Sequence, residues 1–295
     1  MKYRMISAGI ALTIALPAWA QGTSLPFDLK EVEPNYLIYQ RNPKDDNAFR
    51  AHISLGYQFN ESKNDPYEFY FSYTGEFDFY AGTRPSSPVI NRLNNPALHY
   101  KWKIAQGEQF GNWLEWVDGG LEHRSNGQAG EVITPEQQAT AQTAYLNNDH
   151  VYFDSISHST HYLSFQVRSR PIASIGDIII DVKAKAYLAK DSDVNWGPLK
   201  GTGTSISDYD RLTLTLIKKN LIPSSEITLQ WVMGDKLFKT DSFNLDFHKE
   251  FEIAGGKIPF YVRYHQGPMH TLADYTKSNK SLGFGLKFSD FAARK

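Results

Sequence analysis

Tyr67-Glu68-Phe69-Tyr70-Phe71-Ser72-Tyr73-Thr74-Gly75-Glu76-Phe77-Asp78-Phe79 is the stretch that decides the fold. Successive side chains of a β-strand point to opposite faces. Read that way, Tyr67, Phe69, Phe71, Tyr73, Phe77 and Phe79 share one face, and Glu68, Ser72, Thr74, Glu76 and Asp78 lie opposite. The run exceeds the length of about five or six residues usual for globular strands. It suits a tilted strand crossing a bilayer, which takes about nine to eleven. A soluble sandwich would bury such an aromatic face, whereas a membrane barrel turns it toward lipid.

The same alternation recurs along the chain. Phe49 to Phe59 alternates throughout, Leu212, Leu214 and Leu216 alternate with Thr213 and Thr215, and Ile258, Phe260, Val262 and Tyr264 alternate with Tyr261, Arg263 and His265. Leu282, Phe284, Leu286 and Phe288 alternate with Gly283, Gly285 and Lys287. Eleven such runs fall near 49–59, 66–80, 96–105, 112–125, 158–169, 177–189, 208–219, 225–234, 241–252, 257–266 and 281–291. Turn residues such as Asp65-Pro66, Gly107, Leu221-Ile222-Pro223 and Gly255-Gly256 separate them. Single-chain bacterial barrels have an even strand number. A twelfth strand is therefore expected, from Asn35-Tyr36-Leu37-Ile38-Tyr39 or from a split long run. The expected fold is all-β, an antiparallel transmembrane β-barrel of about twelve strands.

The N-terminus reads as an export signal. Lys2 and Arg4 precede an apolar run from Ile6 to Leu16, followed by Ala18-Trp19-Ala20. The expected organisation is a signal peptide over 1–20, an N-terminal periplasmic segment over 21–48, the barrel over 49–291 and a tail over 292–295, with Phe291 closing the last alternating run. The absence of cysteine excludes a disulfide framework, and a net charge of −1 gives no hint of a nucleic-acid partner. The expected location is the outer membrane of a bacterial cell.

One stretch carries chemistry: Gly119-Gly120-Leu121-Glu122-His123-Arg124-Ser125-Asn126-Gly127. By parity His123 and Ser125 lie side by side with Val117, Gly119 and Leu121 on the apolar face, and Asp118, Glu122 and Arg124 lie on the polar one. A histidine next to a serine hydroxyl on a lipid-facing strand suits acyl transfer: His123 takes the proton, Ser125 attacks an ester carbonyl, and water releases the acid. Glu122 and Arg124 read as members of an interior charge network. Trp113, Trp116 and Trp231 read as interface anchors, and His52 and His265 as lumen residues.

From about Asn35 to Phe291 the chain resembles the outer-membrane phospholipases A. His123-Arg124-Ser125-Asn126-Gly127 matches that family's His-x-Ser-Asn-Gly, Asn35-Tyr36-Leu37-Ile38-Tyr39 resembles its segment before the barrel, Ser86-Ser87-Pro88 matches a Ser-Ser-Pro loop, and Asp154-Ser155-Ile156-Ser157 matches its Asp-x-x-Ser. The resemblance implies a twelve-stranded barrel that hydrolyses phospholipid acyl esters, needs calcium and is active as a homodimer. It also implies calcium ligands: the Ser157 hydroxyl, the Ser86 carbonyl of a second copy, a carbonyl at Gln128, with Asp154 in the same loop and Asp193 near a further acidic ligand. All are oxygen donors, as calcium prefers.

The chain departs from that family at three places. The family has an asparagine four residues after the calcium serine, where this chain has His161. His161 shares the apolar face with Ser159, Leu163, Phe165 and Val167, and a neutral imidazole there can accept the Nδ1–H of His123. The chain is longer between Gly127 and Asp154, where Thr134 to Ala141 reads as a helix capped by Thr134 with Pro135 in its first turn. Gly75 stands where the family has a glutamine that bonds across its dimer. The rival reading is a barrel without lipase activity, either another lipid deacylase or a passive channel. About twelve strands leave little lumen once side chains fill it.

Overall fold

The computed structural model describes residues 29–41, 47–60, 65–80, 89–130, 132–188, 205–236, 238–253, 256–273 and 275–288, with the side chains of Ile90, Asn91 and His150 excepted. The elements are β1 (Leu29–Glu31), β2 (Asn35–Arg41), β3 (Ala48–Gln58), β4 (Tyr67–Phe79), β5 (Val89–Lys103), β6 (Leu114–Ser125), α1 (Pro135–Leu146), α2 (His150–Asp154), β7 (Ser159–Ser169), β8 (Ile178–Tyr187), β9 (Leu212–Lys219), β10 (Ser225–Met233), β11 (Ser242–Ile253), β12 (Gly256–Gly267) and β13 (Asn279–Phe288).

From β2 to β13 every strand pairs antiparallel with its neighbour in sequence, and β13 pairs with β2 to close the ring. The barrel therefore has twelve strands. The short β1 pairs with the lower part of β3, Leu29 opposite Tyr57 and Glu31 opposite Leu55, and extends the edge that β2 occupies further along. Closure brings β13 and β2 very near each other. A Cβ on Gly285 would stand 2.1 Å from the Leu37 carbonyl oxygen, so only glycine fits there.

The polarity is inverted relative to a soluble protein. Phe49, Ile53, Phe69, Phe71, Leu98, Trp102, Leu121, Leu163, Phe165, Leu282 and Phe284 are exposed on the outside. Arg50, Asp78, Asp118, Glu122 and Asp181 are buried inside. Arg50 donates to both Asp78 oxygens at 2.7 Å, Glu122 pairs with Lys183 at 2.7 Å, and Arg168 pairs with Asp181 at 2.8 Å. This is the outer-membrane type of barrel, apolar toward lipid and polar within. The lumen is largely filled, leaving cavities of about 220 and 700 Å³ lined mainly by charged and polar side chains. At the end bearing the long loops, Ile206, Leu272 and Tyr275 pack with Leu93, Tyr187, Tyr209 and Met269 into a plug.

All eleven runs read from the sequence are strands, and β2 is the twelfth. It lies inside 21–48, the segment expected ahead of the barrel, because Tyr36 and Ile38 bury inward while Leu37 faces out. β5 starts at Val89 rather than near 96. Pro96 sits mid-strand, where a missing N–H usually marks a strand edge. β9 starts at Leu212 rather than near 208, because a 3-10 turn over Ile206–Asp208, capped by the Ser205 hydroxyl, precedes it. Trp116 is not an interface anchor. It turns into the lumen, with the Lys101 ammonium 4.6 Å and the Arg168 guanidinium 4.9 Å from its ring. His52 and His265 are buried in the lumen. The proposed signal peptide, Ser86, Asp193, Phe291 and the tail lie outside the described residues.

Candidate active site

β6 and β7 set the reactive side chains by simple parity. Along β6, Glu122 is buried and Leu121 exposed; along β7, Tyr162 is buried and Leu163 exposed. His123 and Ser125 share the outward row of Leu121, and His161 shares that of Leu163. The register then aligns them: His123 lies opposite His161, and Ser125 lies opposite Ser159. Directly opposed residues of an antiparallel pair touch through their side chains. Here His123 Nδ1 and His161 Nδ1 are 3.2 Å apart, with ring centroids 4.6 Å apart and planes inclined at 42°.

Two ring nitrogens at that separation share one proton, since two bare lone pairs would repel. When His123 carries it, His161 accepts on Nδ1 and keeps its own proton on Nε2. His123 Nε2 is then bare and basic. Among the described residues His123 Nε2 and Ser125 Oγ have no protein partner, so base and hydroxyl are both free toward the outer face.

Behind this face the strand is held by charge. Arg124 Nη1 donates to Asp210 at 3.1 Å, and Lys185 Nζ donates to the same carboxylate at 2.7 Å. Asp210 lies outside the strands and is buried. Burial pushes its pKa up, but Lys185 and Arg124 outweigh that and hold it below the usual carboxylate range. Glu122 accepts from the Tyr162 hydroxyl at 2.7 Å. Glu122 and Arg124 thus belong to the lumen network.

The chain after Ser125 turns sharply. Asn126 is buried, donates through Nδ2 to the Ile156 carbonyl at 2.7 Å and accepts from the His158 N–H at 2.8 Å. Its own N–H donates to the His158 carbonyl at 3.0 Å. The loop after β6 is thereby stitched to the loop before β7. Gly127 follows with φ of +60°, a left-handed conformation that favours glycine. Its N–H has no acceptor among the described residues.

That stitching brings Gln128 and Ser157 into one loop cluster. Ser157 N–H donates to the Gly130 carbonyl at 2.7 Å, and Gly130 N–H donates to Ser155 at 3.0 Å. Asp154 ends α2, three residues before Ser157. Gln128, Asp154 and Ser157 offer only oxygens, a donor set suited to calcium. Among the described residues no cluster of three His, Cys, Asp or Glu side chains is present. The extra segment folds as α1, whose Thr134 cap accepts from the Gln137 N–H and whose first position is Pro135, followed by α2. Val132, Ala141, Ala144, Phe153 and Ile156 pack as their own small core.

Two asparagines were given no role in the sequence reading. Asn126 stands inside the His-x-Ser-Asn-Gly stretch, and its position there was the available signal. Asn94 lies opposite Ser125 on β5. It escaped notice because Pro96 concealed the first half of that strand.

No family model matches the sequence, and no curated protein matches it. The fold does match solved structures. Outer membrane phospholipase A from Escherichia coli superposes with a TM-score of 0.67 at 17% identity, covering 92% of this chain and 95% of that one. An asparagine-to-alanine active-site mutant of the same Escherichia coli protein at pH 6.1 matches with the same figures. The Salmonella typhi outer membrane phospholipase dimer with bound calcium matches with a TM-score of 0.66 at 17% identity, covering 90% and 94%. The chain has the barrel fold of these proteins.

Proposed function

We propose that this chain is a calcium-dependent phospholipase A of the outer membrane, with Ser125 as nucleophile, His123 as base and His161 as the group that orients the base. The observation that carries this reading is the Nδ1–Nδ1 contact of 3.2 Å between His123 and His161 on the lipid-facing surface, next to Ser125. His161 here does the work of a neutral acceptor.

In the first half-reaction His123 Nε2 takes the Ser125 proton while Oγ bonds to the acyl carbon. The carbonyl π electrons move onto oxygen, and the oxyanion meets the free Gly127 N–H. His123 then returns the proton to the leaving lysophospholipid oxygen as the ester C–O bond breaks. In the second half-reaction His123 deprotonates water, which attacks the acyl-serine. The acid leaves, and Ser125 recovers its proton. Throughout, the imidazolium formed at His123 keeps its Nδ1–H on His161, and that bond strengthens when the ring is charged.

Gln128, Asp154, Ser157 and Asp193, with Ser86 of the partner subunit, would hold calcium beside this face. Bound there, the ion supplies positive charge next to the developing oxyanion. The substrate is a membrane phospholipid, and the active form is a homodimer.

The test is direct. Purified protein in detergent with calcium is expected to release fatty acid from phospholipid, EDTA is expected to stop it, and Ser125→Ala is expected to abolish it while leaving heat-modifiable gel migration intact. Full activity in Ser125→Ala refutes the nucleophile. Wild-type protein that releases no fatty acid favours a non-lipase barrel.

A further inference from the structure

A carboxamide on the lipid face of a barrel is costly, because hydrocarbon offers it no hydrogen-bond partner. Asn94 is such a group. It shares the outward row of β5 with Leu98, Tyr100 and Trp102, all exposed. Its Cα pairs with that of Ser125 on one side and that of Gly75 on the other. In antiparallel sheet the two side chains of such a pair project to the same face. Asn94 and Ser125 therefore stand next to each other at the membrane surface.

The carboxamide is also oriented. The Tyr73 hydroxyl donates to Asn94 Oδ1 at 2.7 Å, which fixes the oxygen end. The amino end, Nδ2, spends one proton on the Arg92 carbonyl at 3.3 Å. Among the described residues the other proton has no acceptor. Nδ2 lies against Gly127, where a Cβ would come within 3.0 Å of it. The Gly127 backbone N–H likewise has no acceptor among the described residues. Two unspent N–H groups thus meet beside the Ser125 hydroxyl, one from the main chain and one from a side chain.

Gly75 makes room for this. The Tyr73 and Phe77 rings cover it, and a Cβ there would stand 3.1 Å from Tyr73 and 2.8 Å from Phe77. With no side chain at position 75, the Tyr73 ring can lie across the strand toward Asn94.

We propose that Asn94 is a second oxyanion donor for the ester-hydrolysing reaction, and that Tyr73 is the residue positioning its carboxamide. The inference rests on the hydrolase reading of Ser125. As the acyl carbonyl becomes tetrahedral, its oxygen gains negative charge and receives the Gly127 N–H and the Asn94 Nδ2–H together. The substrate class is a carboxylic ester whose carbonyl can enter from the membrane side.

Steady-state hydrolysis of a phospholipid in detergent with calcium, and the rate at which an alkyl fluorophosphonate labels Ser125, test this together. Asn94→Leu keeps the volume and suits the lipid face. It is expected to lower kcat by about 100-fold, the loss typical for one oxyanion donor, with KM nearly unchanged and phosphonylation slowed in parallel. Asn94→Asp, which replaces the amino group by an anionic oxygen, is expected to be at least as impaired. Tyr73→Phe should lower kcat by about tenfold, as expected for a donor that has lost its orientation. Heat-modifiable migration checks folding of each variant. An active wild type with Asn94→Leu within about twofold of it in kcat overturns the role of Asn94 alone. A loss in Asn94→Leu that vanishes at high protein concentration, in step with a restored crosslinked dimer, overturns it too, because it places Asn94 at a subunit contact instead. Wild-type protein that neither hydrolyses ester nor labels at Ser125 overturns the hydrolase reading itself.

Discussion

Replacing His161 tests how the base is held. In the proposed resting pair one ring donates to the other across 3.2 Å. Such a hydrogen bond contributes about 0.5–1.5 kcal/mol, while one involving a charged group contributes about 1.5–3. In the proposed reaction His123 becomes charged only as it takes the Ser125 proton. The difference, about 1–1.5 kcal/mol, therefore stabilises the transition state and not the ground state. At about 1.4 kcal/mol per decade it accounts for about tenfold in kcat. His161→Ala loses that and also the acceptor that fixes the His123 tautomer, so kcat should fall at least about tenfold with KM little altered. His161→Asn restores an acceptor oxygen and should retain more activity than His161→Ala. Initial rates of fatty-acid release across a substrate range, with calcium saturating, give kcat and KM separately. Equal rates in the two variants would remove His161 from the mechanism.

Asn126→Ala strips the Ile156 carbonyl and the His158 N–H of their partner, at about 1–3 kcal/mol for each buried group left unsatisfied. Because Asn126 joins the loops bearing Gln128 and Ser157, the variant should need more calcium for half-maximal activity, and an unchanged calcium titration would disconnect Asn126 from the cation. Asp210→Asn is expected to lower the temperature of the heat-modifiable shift at neutral pH by leaving Lys185 and Arg124 unpaired. The Asp210 pKa is depressed in the folded state, so its contribution exists above the unfolded value of about 3.9 and is lost as pH falls through the lower folded one. Wild type and variant should converge in strong acid, and a gap that persists there would refute the assignment. Crosslinking with calcium and a substrate analogue should trap a dimer, and full activity with monomer alone would exclude a role for Ser86 of the partner subunit.

Parity made most of the molecule legible. The aromatic row of β4 and the leucine row of β9 revealed their faces directly, since a period of two admits only an inside and an outside. It placed His123, Ser125 and His161 on one surface, yet could not say that His123 and His161 stand directly opposed. Cross-strand register depends on loop lengths and on neighbouring strands, and no single segment encodes it. Asn94 was hidden for the same reason, compounded by Pro96. Trp116 misled because aromatic residues near strand ends are common at membrane interfaces, while this one is drawn inward by Lys101 and Arg168. Asn126 shows a further limit: its partners, Ile156 and His158, lie across a long insertion, so its clamp is invisible in sequence.

The pairing of Arg124 with Asp210 and of Glu122 with Lys183 has a consequence for how faithfully this surface is assembled. Sliding β6 by one residue would turn both charged side chains outward and send the hydroxyl and imidazole into the polar lumen. Arg124 lies at the loop end of β6, where an exterior arginine costs about 0–1 kcal/mol, on top of the broken ion pairs. The ion pairs inside the barrel thus favour the one alignment of β6 that leaves His123 and Ser125 facing outward.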